Sequence, residues 1–169
     1  MLIKRTLILA WLCCAALVFS STATAAVDAS KIPAPDFTLK SNSGKNIKLS
    51  ELRGQVVMIN FWASWCGPCL QEMPLLEQLY KKYQPLGFTL LGVDVEEDSS
   101  DAIKWLKKVK VSFPILFDNE NEVSERYHVS AMPTTVIVDR DGKIRYIHMG
   151  YTPGVEETYQ QQVRALLKK

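Results

Sequence analysis

Histidine is nearly absent from this sequence of 169 residues, which has only His128 and His148, and cysteine occurs four times. So few imidazole and thiolate ligands leave little from which to build a metal centre. Neither charge is in excess: 20 basic and 18 acidic residues give a formal net charge of +2. That balance gives no basis for binding nucleic acid or an anionic membrane surface. No apolar run reaches the roughly 20 residues of a bilayer-spanning helix. Internal repeats and low-complexity tracts are also missing.

The longest apolar segment, Thr6 to Phe19, follows Lys4 and Arg5 and precedes Ala23-Thr24-Ala25. A basic start, an apolar centre and a small-x-small end make residues 1–25 a secretory signal cleaved after Ala25. An uncleaved anchor is the alternative, and it alone would bring the protein to a membrane. Cys14 lacks the small residues that precede a lipidated cysteine. Without residues 1–25, 18 basic residues face 18 acidic ones, and about 144 residues remain. That is enough for a single domain over 36–169, entered through an extended lead-in at 26–35 that carries Pro33 and Pro35.

Loss of the leader leaves Cys66 and Cys69 as the only cysteines. In an oxidising compartment such a pair can be a structural staple. Closing a two-residue loop removes little unfolded-chain entropy, so reactivity explains the pair better. Two thiols in this spacing at a helix start can close into a disulfide and reopen. The helix N-terminus favours negative charge there and lowers the pKa of the first thiol, Cys66. The rival, half of a zinc site, needs two further ligands, and His128 and His148 match no usual zinc spacing.

Patterning sets the context of the pair. Residues 36–40 and 46–49 read as strands around a turn at 41–46, followed by one helical turn at 50–52. Val56 to Ala63 is a nearly continuous apolar run, the mark of a strand buried on both faces. The cysteines follow it directly. A helix is expected from Cys66 to Tyr83, with Cys69, Met73, Leu76, Tyr80 and Tyr83 on one face and a kink at Pro74. A buried strand follows at 88–95, then the acidic residues Glu96, Glu97 and Asp98. Next comes a helix from Ser99 with Ile103, Leu106 and Val109 as its apolar stripe. Trp105 and the lysines at 104, 107, 108 and 110 fall on its outer face. Residues 113–117 form a short strand and 120–127 a short helix. Strands at 134–138 and 143–149 meet across Asp141-Gly142. Thr152 caps a last helix with Pro153 at its first position and Val155, Tyr159, Val163 and Leu166 as its stripe. The alternation implies an α/β protein with a mixed sheet.

Phe61-Trp62-Ala63-Ser64-Trp65-Cys66-Gly67-Pro68-Cys69, with Pro74 and Met132-Pro133-Thr134, resembles the thioredoxin fold. Within that fold the chain resembles the exported TlpA/ResA-like thioredoxins over about 34–169, including a stretch from Asp94 to Pro133 longer than in plain thioredoxins. The resemblance implies a mixed central sheet flanked by helices, an N-terminal β-hairpin and a central αβ insertion. It implies Cys66 as attacking thiolate, Cys69 as resolving thiol, and no cofactor beyond their redox-active disulfide. Pro133 is then a cis proline facing the disulfide, with Met132 free to pair with a substrate strand. Trp65, Gly67 and Pro68 contribute to the rim that substrates touch, whereas Trp62 reads equally as core. Plain thioredoxins place an aspartate six residues before the first cysteine; here Asn60 stands there and cannot titrate. Glu72 matches the C-x-x-C-x-x-E-x-P pattern of the TlpA/ResA branch and is the candidate acceptor for the Cys69 proton. An exposed first-turn glutamate favoured by the helix dipole is the plainer reading.

The Gly-Pro dipeptide resembles that of reducing thioredoxins. A reductant in the periplasm implies an electron donor in the inner membrane, and substrates that are exported proteins with cysteine pairs, such as apocytochromes c or copper-centre proteins. Two rivals have different patterns. A copper-delivery protein of the Sco kind uses C-x-x-x-C with a distant histidine. A peroxidase of the peroxiredoxin kind wants threonine three residues before the reactive cysteine and proline seven before, where this chain has Ala63 and Ile59.

Overall fold

A computed structural model describes residues 32–168. The leader reading at 1–25 and most of the lead-in lie outside the described residues. Seven strands, Thr38–Ser41 (β1), Asn46–Lys48 (β2), Val56–Trp62 (β3), Phe88–Asp94 (β4), Ile115–Phe117 (β5), Thr134–Val138 (β6) and Ile144–Met149 (β7), form one sheet in the order β2-β1-β5-β4-β3-β6-β7. The helices are Gly67–Tyr83 (α1), Ser100–Lys108 (α2), Glu122–Arg126 (α3) and Val155–Leu167 (α4). The central pairs β3–β4 and β4–β5 are parallel, whereas β3–β6, β6–β7, β1–β5 and β1–β2 are antiparallel. This is the mixed α/β thioredoxin-like fold expected from the motif, with the leading hairpin and the inserted α2–β5 unit. The described end of the lead-in is tied down as well: Pro33 bridges Lys143, and the Ile144 N–H donates to the Ile32 carbonyl at 2.9 Å.

Every residue of β3 is buried, because both faces of this central strand are covered. Val56, Met58 and Trp62 join a core with α1, α2 and α4, while Val57, Ile59 and Phe61 join a second core with Val123 of α3 and Leu49. Strand periodicity therefore points Asn60, the one polar residue of β3, toward the α1–α4 layer. Gly92 of β4 marks a close approach. A Cβ there would lie 2.8 Å from Ile115 Cδ1 and 3.0 Å from Phe113 Cε2. Gly92→Ala is expected to destabilise the protein by about 1–3 kcal/mol through overpacking, read from denaturant midpoints.

Two helices depart from the sequence reading. In α2 the inward residues are Ala102, Trp105 and Leu106, whereas Ile103 is exposed. Trp105 lies against Trp62, with ring centroids 5.7 Å apart, rather than on the outer face. Packing two indoles against each other, tilted by 49°, buries more apolar area than Ile103 could, so the helix turns its tryptophan inward. Helix α4 begins at Val155 and not at Pro153, because Thr152 to Val155 form a tight turn. The Val155 N–H donates to the Thr152 carbonyl at 3.0 Å, and Gly154 has φ 92°. Proline followed by a left-handed glycine is the residue pair of a type II turn.

Candidate active site

The site is built where β3 ends and α1 begins. Cys66 is the N-cap of α1, Pro68 lies in the first turn, and Cys66 and Cys69 are joined in a disulfide with Cα atoms 5.3 Å apart. The Cys69 N–H points at Cys66 Sγ, 3.2 Å away. Negative charge developing on that sulfur therefore meets an unpaired helix N–H as well as the helix dipole. Cys66 is less open than its position at a helix start implies: it is 6 % exposed and Cys69 1 %. The disulfide folds the Cys66 side chain back over the first turn. Its neighbours Trp65, Gly67 and Pro68 are exposed, Trp65 by 68 %.

The Met132–Pro133 bond is cis. Thr134, the next residue, pairs with Phe61 near the end of β3, so the register brings the Met132–Pro133 turn to the edge of the sheet from which the cysteine loop leaves. Met132 is half-buried and Pro133 buried. The Gly150 N–H donates to the Pro133 carbonyl at 2.7 Å and ties the end of β7 to the same corner.

Glu72, one turn after Cys69 on α1, is 1 % exposed rather than a solvated first-turn glutamate. Its Oε2 accepts from Asn60 Nδ2 at 2.8 Å, and its Oε1 accepts from the Tyr159 hydroxyl at 2.9 Å. Asn60 Nδ2 also donates to Thr135 Oγ1 at 2.9 Å. Burial pushes the Glu72 carboxyl above the ordinary range; the two hydrogen bonds pull it back, and the Glu156 carboxylate adds to the rise. Helix α1 thus offers the cysteine pair a carboxyl that takes up a proton more readily than an exposed one.

Tyr159 was legible only as a member of the α4 stripe. A tyrosine on a core-facing stripe needs a partner for its hydroxyl, and that requirement was the available signal. Nothing in the sequence named Glu72 as the partner, 87 residues away. His148 does not approach the cysteines as a ligand would: its Nε2 lies 2.8 Å from Gln162 Oε1, and its ring packs edge-on to Tyr159. Among the described residues no group of three or more His, Cys, Asp and Glu side chains is placed to hold a metal ion. No helix among them is long and apolar enough to cross a membrane. Tyr159→Phe removes a donor to ionised Glu72. It is expected to lift the Glu72 pKa further, seen in carboxyl-carbon NMR titration, and to destabilise the fold by about 1–3 kcal/mol.

Comparison with known proteins gives the same picture. The model of the AhpC/TSA family matches residues 31–147. The thiol-disulfide oxidoreductase ResA of Geobacillus thermodenitrificans is 38% identical over 117 residues, which is 69% of this chain and 67% of that protein. ResA of Bacillus subtilis is 37% identical over 111 residues, 66% of this chain and 62% of that protein. Among solved structures, a chain from Chlorobium tepidum described as a thiol:disulfide interchange protein DsbE has a TM-score of 0.77 at 40% identity. The match covers 80% of this chain and 96% of that one.

Proposed function

The chain belongs to the AhpC/TSA family and is a thiol–disulfide oxidoreductase of the ResA and DsbE type, and on that premise we propose that it is an exported reductant of protein disulfides. The observation that carries this reading is the Cys66–Cys69 disulfide at the start of α1 with buried Glu72 one turn behind it. In the reduced protein, the Cys66 thiolate attacks one sulfur of a substrate disulfide. That bond breaks, the other substrate sulfur leaves as a thiolate, and a mixed disulfide joins Cys66 to the substrate. Cys69 gives its proton to Glu72 and attacks Cys66 Sγ, which releases the second substrate sulfur. Two electrons have passed to the substrate, and the protein is left as the disulfide.

Trp65, Gly67, Pro68, Met132 and Pro133 form the rim on which the substrate chain lies in this reading. The exposure of Trp65, Gly67 and Pro68 beside a buried sulfur pair supports it, as does the half-buried Met132 before the cis bond to Pro133. The leader at 1–25 supports export to the periplasm, with membrane contact only where the leader is retained. A reductant there must be recharged, so an electron donor in the inner membrane is part of the proposal. The substrates are exported proteins with cysteine pairs, with apocytochromes c and copper-centre proteins as the leading classes.

Cys69→Ser expressed in the native host tests this. Without its resolving thiol, Cys66 should hold substrates as mixed disulfides that mass spectrometry identifies. Capture of apocytochromes or of copper-centre proteins supports a dedicated reductant. An empty trap with Cys66 free and reactive contradicts the exchange reading and favours copper handling.

A further inference from the structure

Asp94, the last residue of β4, is 0 % exposed, and neither carboxyl oxygen has a hydrogen-bond partner at normal geometry. It faces the α1–α4 layer beside Trp62, its register partner, whose Nε1 also lacks a partner. Two residues on, Glu96 reaches back across the sheet edge to the cysteine loop. Its Oε1 accepts from the Ser64 N–H at 2.6 Å and its Oε2 from the Ser64 hydroxyl at 3.0 Å. Ser64 is two residues before Cys66, so one carboxylate holds the segment that delivers the sulfur to the helix start.

The loop that carries Glu96 is itself fixed. Asn119 Nδ2 donates to the Glu96 carbonyl at 2.6 Å and to Ser99 Oγ at 2.8 Å. The charged group facing Asp94 is Glu96, and Ser99 is its neutral neighbour. Other ionisable groups nearby are occupied or exposed. Glu97 and Asp98 are exposed, Asp101 and Lys104 of α2 pair with each other, and the Asp118 carboxylate accepts the Val123 and Ser124 N–H groups. A buried carboxyl therefore lies beside a half-buried carboxylate, and none of these groups places a cation between them. A proton on Asp94 relieves their repulsion.

We propose that the protonation state of buried Asp94, beside the Glu96 carboxylate, positions the Ser64–Cys66 segment. While Asp94 keeps its proton, Glu96 holds Ser64; loss of the proton loosens that hold and makes the Cys66 thiol harder to ionise. Burial, with the Glu96 carboxylate adding to it and the Ser99 hydroxyl and the Glu96 backbone N–H opposing, pushes Asp94 up to about 7. The change therefore falls within the range in which thiol–disulfide exchange operates. These are positioning residues: neither touches a sulfur, and they act through Ser64.

The hold on Ser64 is read on the disulfide form, in which no thiol titrates. The effect on Cys66 rests on the exchange chemistry proposed above, so the two parts fail separately. In the oxidised wild-type protein, the Ser64 amide NMR signal followed from about pH 5 to about pH 9 is expected to show an inflection near 7. Asp94→Asn, which keeps a donor toward Glu96, should abolish the inflection, and Glu96→Gln should move it to lower pH. In reduced Asp94→Asn, thiolate absorbance should show the Cys66 ionisation constant increased about three- to tenfold at neutral pH and above. A flat Ser64 trace in the wild type, or an inflection that survives Asp94→Asn, overturns the role of Asp94. A Cys66 ionisation unchanged by Asp94→Asn overturns its link to the thiol.

Discussion

Cys66→Ser is expected to reduce disulfide reductase activity to the rate of uncatalysed exchange, while Cys69→Ser retains the first chemical step and loses turnover. The asymmetry follows from position. Cys66 caps α1, where the Cys69 N–H and the helix dipole stabilise a thiolate, whereas Cys69 lies within the first turn among core residues. A serine hydroxyl at 66 cannot ionise near neutral pH, so no mixed disulfide forms. A serine at 69 leaves the nucleophile intact and removes the group that displaces the substrate. Insulin reduction with a chemical dithiol donor, combined with non-reducing gels, measures both effects. Rapid turnover by Cys66→Ser, or mixed disulfides held at Cys69, would assign the nucleophile to the wrong sulfur.

Glu72→Gln is expected to slow resolution of the mixed disulfide by about 10²-fold, at the lower end of what a positioned general base contributes. Glutamine can keep both neighbours, accepting from Asn60 and donating to a turned Tyr159 hydroxyl, so the packing survives while the proton acceptor is lost. The wild-type resolution rate should rise with pH through the elevated Glu72 pKa, because only the carboxylate accepts the Cys69 proton. The variant should lack that limb. Stability moves the other way. A carboxyl whose folded pKa lies above its unfolded value contributes stability that is present below the unfolded pKa and lost as pH rises through the folded one. Wild-type stability should therefore decline across that window, whereas Glu72→Gln holds its stability and exceeds the wild type at neutral pH. Single-turnover kinetics and denaturant midpoints over the same pH series check both halves. A variant equally slow at every pH, with unchanged stability, would leave Glu72 a packing residue.

These three residues show what was legible before the structure. Cys66 and Cys69 stood out because no other cysteine follows the leader, and Glu72 because it matches the C-x-x-C-x-x-E-x-P pattern of the TlpA/ResA branch that the chain resembles. The nearly continuous apolar run from Val56 to Ala63, broken only by Asn60, placed all three at a strand-to-helix junction, because it has the pattern of a strand covered on both faces. What supports Glu72 was not legible. Asn60, Thr135 and Tyr159 come from β3, β6 and α4, and strand register with helix packing brings them together through contacts that span 12 to 87 residues of sequence. Asp94 fell inside the buried strand read over 88–95, and Glu96 read as the start of an acidic loop; nothing local showed that Glu96 reaches back to Ser64. In α2, Ile103 marked the wrong face because apolar spacing alone cannot show that Trp105 has Trp62 to pack against. Thr152 has the side chain of a helix cap, but the left-handed backbone of Gly154 makes the segment a turn and moves the helix start to Val155.

The equilibrium potential of the Cys66–Cys69 pair, measured against glutathione and dithiothreitol buffers with the purified protein, tests the proposed direction of electron flow most directly. A reductant that carries Gly-Pro between its cysteines should lie on the reducing side of the glutathione pool, toward the roughly −270 mV of thioredoxin. A value near the roughly −120 mV of DsbA would contradict the account, because such a pair takes electrons from its partners.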